Sequence, residues 1–127
     1  MRWLPPPNNF IKLNFDGSFI NTSAAGGFII REWTGKLIQA GAAHFGETSI
    51  IVAKARELKN GVIAAIQADY RNIIIEGDYD IVIQALKGTF HTPWQIAMII
   101  EDVRLWLEKT NCTVINHIFQ KVNQVAD

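Results

Sequence analysis

Cysteine is almost missing from this 127-residue chain, with Cys112 the only one. No disulfide can form within it, which excludes a stapled secreted scaffold. No apolar run is long enough to span a bilayer. The start, Met1-Arg2-Trp3-Leu4 and then Pro5-Pro6-Pro7, has no apolar core ahead of a small-residue cleavage site. These absences predict an intracellular protein (cytoplasm or nucleus) with no membrane contact, or a fragment of a longer one. Two N-x-S/T triplets, at Asn21 and Asn111, are then chance matches rather than glycosylation sites. An excess of charge is missing too, since Lys+Arg and Asp+Glu are both 12. That argues against a strong, sequence-blind polyanion binder, whose affinity comes mostly from counterion release. It leaves a local basic face open. Internal repeats are absent, and the proline triplet is the only low-complexity stretch.

What is present is an ordered core. Hydrophobic residues make up 49% and charged residues 19%, enough for one compact unit. Residues 1–9 read as an arm, because consecutive prolines favour extended geometry, and 10–127 as the domain. Residues 10–16 alternate, with Ile11, Leu13 and Phe15 on one face, and Gly17 breaks the pattern. Residues 25–33 and 36–45 are further strands, joined by a Thr34-Gly35 hairpin turn. Ser49 caps a helix running to about Ala68, with Ile51, Ala55, Leu58, Val62 and Ile66 as its apolar stripe. Residues 72–78 form an unbroken β-branched run, which predicts a strand buried on both faces. A short helix over 79–86 ends at Gly88. A longer helix opens at Thr92-Pro93, with the threonine as cap. Residues 113–118 form a last strand, and 120–127 read as a loop and the first turn of a truncated helix. A meander followed by helix–strand crossovers gives a mixed sheet flanked by helices.

Polar outliers fall at element ends: Asp16 after the first strand, Asp78 after the fourth, Asp127 at the last helix. Strands one and four can lie parallel and adjacent, which collects carboxylates at one sheet edge. Such hard oxygens suit magnesium, and a pair of ions could hydrolyse a phosphodiester. The plain alternative is that an Asp before Gly is a turn residue and an Asp after a strand a helix cap.

Five segments carry a resemblance. They are Trp3 to Pro7; Lys12-Leu13-Asn14-Phe15-Asp16-Gly17-Ser18; Gly26-Gly27-Phe28-Ile29-Ile30-Arg31; Ile75-Glu76-Gly77-Asp78; and His117 followed by Asn123-Gln124-Val125-Ala126-Asp127. In this order they resemble ribonuclease H domains, most of all the plant reverse-transcriptase-like subgroup related to non-LTR retroelements. The resemblance implies an α/β ribonuclease H-like fold with a five-stranded mixed sheet in the order 3-2-1-4-5. It also implies Mg2+- or Mn2+-dependent hydrolysis of RNA in an RNA–DNA hybrid by four acidic ligands. Asp16, Asp78 and Asp127 match three of them. His117 matches a histidine that assists proton transfer or product release, although a lone histidine after a strand is more often structural.

The fourth ligand should be a glutamate on the first long helix. In Ala53-Lys54-Ala55-Arg56-Glu57-Leu58-Lys59-Asn60-Gly61, the alignment of Leu58 and Gly61 puts Lys54 in its place. Glu57 is the candidate substitute. At 100° per residue, Lys54 lies roughly 60° from the centre of the apolar stripe and Glu57 roughly 120°, which predicts Glu57 on the solvent side. Two unit charges 4 Å apart interact by about 4 kcal/mol at an effective dielectric of 20, and a divalent ion doubles that. A residual penalty of roughly 3 kcal/mol weakens metal binding about a hundredfold. The ammonium could instead serve the aspartates as a built-in counter-ion. The loop over 87–93 leaves no room for a basic handle helix. Gly17, Asn14 and Asn21 are candidate backbone contacts for nucleic acid, or simply turn formers. Trp33, Trp94 and Trp106 suit core or rim packing. Three readings follow: a ribonuclease H on a weakly held hybrid, impaired by Lys54; an inactive module of that fold binding nucleic acid or a protein; and an unrelated α/β interaction domain. An exposed edge strand or the missing last helix would permit self-association.

Overall fold

The structure, a computed structural model, describes residues 9–78, 80–89 and 91–118, apart from the side chains of 19 and 20. The elements are β1 (Ile11–Ile20), β2 (Ser23–Glu32), β3 (Leu37–Gly46), α1 (Ile50–Gln67), β4 (Asn72–Asp78), α2 (Ile81–Lys87), α3 (Trp94–Leu107) and β5 (Cys112–Ile118). The five strands make one sheet in the order β3-β2-β1-β4-β5, as expected. β1 and β2 pair antiparallel, as do β2 and β3, while β4 runs parallel to β1 and β5 parallel to β4. The last expected segment, 120–127, lies outside the described residues.

Local chemistry explains most boundaries. Ser49 caps α1, its side chain accepting from the Val52 N–H at 3.2 Å. Gly88, left-handed at φ 75°, closes α2. The Thr34-Gly35 turn holds β2 to β3, with the Gly35 N–H donating to the Glu32 carbonyl at 2.8 Å. Ile73, Ile74 and Ile75 are all buried, so β4 is enclosed on both faces at its centre.

Three expectations need correction. β1 does not stop at Asp16-Gly17 but continues to Ile20, because Gly17 pairs with Gly26 of β2. α2 begins at Ile81 rather than 79, since the carboxylate of Asp80 accepts from the Val82 and Ile83 N–H groups and defines the start. At α3 the N-cap is Pro93, which makes no side-chain cap bond, and not Thr92.

Odd-numbered β1 residues Ile11, Leu13 and Phe15 face the helices and pack with Phe28 and Ile30 of β2 and Ile73 and Ile75 of β4. Leu58, Val62 and Ala65 of α1, Val82 and Ile83 of α2, and Ile96, Ile100 and Val103 of α3 close this core. Each large side chain so buried contributes about 1.5–3 kcal/mol. Gly61 lets α1 press on β1: a Cβ there would sit 2.5 Å from Leu13 Cδ1. Ion pairs tie the helices, Lys59 to Asp102 at 2.9 Å between α1 and α3. Arg104 donates to the Ala85 carbonyl at 2.7 Å, fastening α3 to α2.

Candidate active site

The even-numbered residues of β1 project from the opposite face of the sheet. Lys12 pairs with Glu76 of β4 at 3.1 Å, and Asn14 donates to Glu76 at 3.3 Å. Parallel pairing of β1 with β4 then carries Asp16 and Asp78 to one end of the sheet. Both line a cavity of about 450 Å³ with Asn14, Gly27, Ile29, Glu76 and Ile118. The sequence had predicted this juxtaposition. Glu76 is already paired with Lys12, so among the described residues Asp16 and Asp78 are the carboxylates that face the cavity without a cation in contact.

The two aspartates differ. Asp16 is exposed, and one of its oxygens accepts from the Gly17 N–H at 2.8 Å. Asp78 is half-buried. Burial pushes its carboxyl above the usual range, and the charges of Asp16 and Asp80 add to that while Lys54 opposes it.

Lys54 enters from α1. Gly17 makes this possible: a Cβ on it would lie 2.9 Å from Lys54 Cγ and 3.1 Å from the Lys54 backbone nitrogen. The first turn of α1 therefore rests directly on β1 beside Asp16. The Lys54 ammonium is bound by Asp80 at 2.8 Å, with both side chains largely buried. Burial alone would lower the lysine pKa; the hydrogen bond from Asp80 and the charges of Asp80, Asp16 and Asp78 outweigh it and raise it. Lys54 is a full cation within the field of all three aspartates. Sequence reasoning missed Asp80. Its capping role was open to the rule that an Asp before an apolar helix start is an N-cap, but its ion pair was not.

Glu57 is not on the solvent side. It is 1% exposed, and the expected rotation was wrong because α1 is wedged between the sheet and α3, which widens its buried arc beyond one stripe. Room for it comes from Gly26 of β2, where a Cβ would fall 2.6 Å from Glu57 Cγ. One carboxylate oxygen accepts from Asn60 at 3.2 Å and the other has no hydrogen-bond partner among the described residues. Burial raises the Glu57 pKa, against the lowering effect of Asn60. Glu57 does not line the cavity of Asp16 and Asp78.

The remaining candidates scatter. His117 is half-buried and sits opposite Gly77 in the β4–β5 register; Ile118, and not His117, lines the cavity. Asn21 is a turn residue at φ 59° and borders a separate depression with Glu47 and Thr48. Asp127 lies outside the described residues. Trp94 is 83% exposed and so is not a core residue, whereas Trp106 packs partly against the core. Among the described residues no cluster of three or more His, Cys, Asp or Glu could hold a metal ion, and no helix is long and apolar enough to cross a membrane.

Comparison with known proteins supplies the context. The family described as reverse transcriptase-like matches residues 14–127. No curated protein matches the chain. Among solved structures it is similar to ribonuclease H1 of the halophilic archaeon Halobacterium salinarum, at 21% identity over 91% of this chain and 89% of that one, with a TM-score of 0.81. The N-terminal ribonuclease H domain of a Mycobacterium tuberculosis protein aligns at 13% identity over 91% of both chains, TM-score 0.82. LC11 ribonuclease H1, solved in complex with an RNA/DNA hybrid, aligns at 16% identity over 89% and 88%, TM-score 0.77. At these identities the likeness establishes the ribonuclease H fold.

Proposed function

The chain belongs to the reverse transcriptase-like family, and from that premise we propose that residues 10–127, after an arm over 1–9, are a ribonuclease H-type domain that binds RNA–DNA hybrid but hydrolyses its RNA strand poorly. Within the family we assign it to the plant subgroup related to non-LTR retroelements, on the motifs around Asp16, Asp78 and Asp127, and to the cytoplasm or nucleus. The observation that carries the reading is the Lys54 ammonium, fixed at 2.8 Å from Asp80 in a neighbouring depression with Ile50, Ile51 and Ile81, its stem packed on Gly17 next to Asp16 and its charge felt by Asp16 and Asp78. A hybrid bound to LC11 ribonuclease H1 supports the choice of partner.

The fit of Mg2+ or Mn2+ can be judged from the donor set. Magnesium keeps several waters and needs only one or two carboxylates. Asp16 and Asp78 on one cavity fit a single such ion. Among the described residues they have no further free acidic donor for a second, because Glu76 is paired with Lys12 and Lys54 stands within the field of both aspartates. A bound ion would polarise a phosphate oxygen and activate water. The chain's own residues do the rest: Lys12 and Asn14 hold Glu76, which keeps that carboxylate out of the cavity chemistry. Gly17 brings α1 against β1, so position 54 decides the charge next to Asp16.

The ordered Lys54–Asp80 pair also favours the second reading, a fold of this kind whose chemistry is lost and which serves to hold nucleic acid or a protein. Self-association through the edge strand β3 belongs with that reading. The first reading, and the second where the partner is nucleic acid, predict salt-sensitive hybrid binding. The test is a labelled RNA–DNA hybrid, with binding followed by fluorescence anisotropy and cleavage followed in Mg2+ and in Mn2+. We expect binding, and cleavage slower by about a hundredfold or more than an unimpaired site would give. Near-normal magnesium-dependent cleavage refutes the impairment. Absence of binding at low salt refutes the hybrid as partner.

A further inference from the structure

The Asp80 side chain does two things at once. One of its oxygens caps α2, accepting from the Val82 N–H at 3.0 Å and the Ile83 N–H at 3.4 Å. The other binds Lys54 at 2.8 Å. The carboxylate is thus anchored by backbone donors, and the flexible lysine stem is the partner that adapts to it. Lys54 and Asp80 come from different helices, so the pair joins the start of α1 to the start of α2 on the flank of the site. Neither Asp16 nor Asp78 takes the ammonium directly, although both lie within its field.

We infer that Asp80 is a positioning residue for the Asp16–Asp78 site: by clasping the Lys54 ammonium to the start of α2, it keeps that charge off the two aspartates and leaves them able to take one divalent cation. This rests on the reading of Asp16 and Asp78 as the site. The state of the site is then a property of positions 54 and 80 together. Without the Asp80 charge, the lysine stem is long enough to turn onto Asp16 and Asp78, and it becomes their counter-ion. With a glutamate at 54 and Asp80 retained, two further carboxylates would confront each other where the ion pair now stands. Restoring a glutamate alone is therefore an incomplete reversal, and Asp80→Asn must accompany it.

The experiment is Mn2+ binding, measured by isothermal titration calorimetry and by electron paramagnetic resonance, on the full chain and on Asp80→Asn, Lys54→Met and the double variant. Asparagine caps helices as well as aspartate, so Asp80→Asn should fold, and melting curves confirm it. Expected is a loss of about tenfold in Mn2+ affinity for Asp80→Asn with Lys54 present, as the ammonium moves onto the aspartates. In the Lys54→Met background the same change should cost only about two- to threefold, the effect of one screened charge. Equal factors in the two backgrounds overturn the inference, since Asp80 would then act only as a distant charge. Absence of Mn2+ binding in all four proteins overturns it as well, because the aspartates would not be a cation site. No nucleic acid is present in this titration, so its failure is separable from a failure of hybrid binding.

Discussion

Replacing Glu57 by glutamine should stabilise the protein at neutral pH. The side chain is 1% exposed; among the described residues one of its oxygens has the Asn60 amide at 3.2 Å and the other has no hydrogen-bond partner. A buried polar group left unsatisfied costs about 1–3 kcal/mol, and more when charged. Glutamine keeps the shape that fits over Gly26 and removes the charge. It retains one unsatisfied amide, so a net gain of about 1–2 kcal/mol is expected at pH 7, or roughly 3–6 °C in Tm for a chain of this size. The pH dependence gives the sharper check. Burial raises the Glu57 pKa above its ordinary 4.5 in the folded state. Its contribution to stability is therefore fully present below that value and is lost as pH rises through the folded pKa. The advantage of the glutamine variant should grow from nothing near pH 4 to its full size above the folded pKa. Urea unfolding followed by circular dichroism from pH 4 to 8 measures this. A destabilised variant at pH 7, or a difference that does not change with pH, refutes the reasoning. Mn2+ affinity should not change, because Glu57 does not line the cavity of Asp16 and Asp78; a drop of tenfold or more would make Glu57 a ligand after all.

Gly26→Ala should destabilise by about 1–3 kcal/mol, since its Cβ would meet Glu57 Cγ at 2.6 Å and the backbone oxygen of Asp16 at 2.8 Å; chemical denaturation measures it. Gly61→Ala pits a helix-propensity gain of about 1 kcal/mol against a Cβ 2.5 Å from the buried Leu13, and a net loss in the same assay is expected. Asp16→Asn should lower the Asp78 pKa by removing a repelling charge, and Lys54→Met should raise it by removing an attracting one; carboxyl-carbon NMR titration of Asp78 reads both directions.

Much of the architecture is legible because each element states its own period. Three adjacent isoleucines in β4 read as a strand buried on both sides, and Ser49 ahead of an apolar stripe reads as a helix start. The same local rules failed where a second element decides the outcome. Gly17 reads as a stop in isolation, but across from Gly26 it is a place where two strands run on under a helix. Thr92 has the right chemistry for a cap, yet the chain enters α3 through Pro93 in an extended conformation.

The site divides along the same line. Asp16 and Asp78 could be paired from sequence because strands one and four of a mixed sheet can lie parallel and side by side, as the order implied by the resemblance requires, and strand ends need no side-chain detail. Glu57 could not be placed by helical angle, because the angle gives a direction without saying what waits there. A strand with a side chain at 26 would have excluded the glutamate, and a glycine admits it. Lys54 is the most instructive case. The resemblance put it near the aspartates, and the expected consequence was a weakened metal site, with a counter-ion set among Asp16, Asp78 and Asp127 as the alternative. Asp80, two residues past Asp78 and read only as part of a short helix, takes the ammonium instead. An ion pair between two helix starts has no period and no motif. It follows from where two caps, Ser49 and Asp80, happen to bring their helices. Where the lysine charge comes to rest therefore depends on capping geometry as well as on the lysine itself.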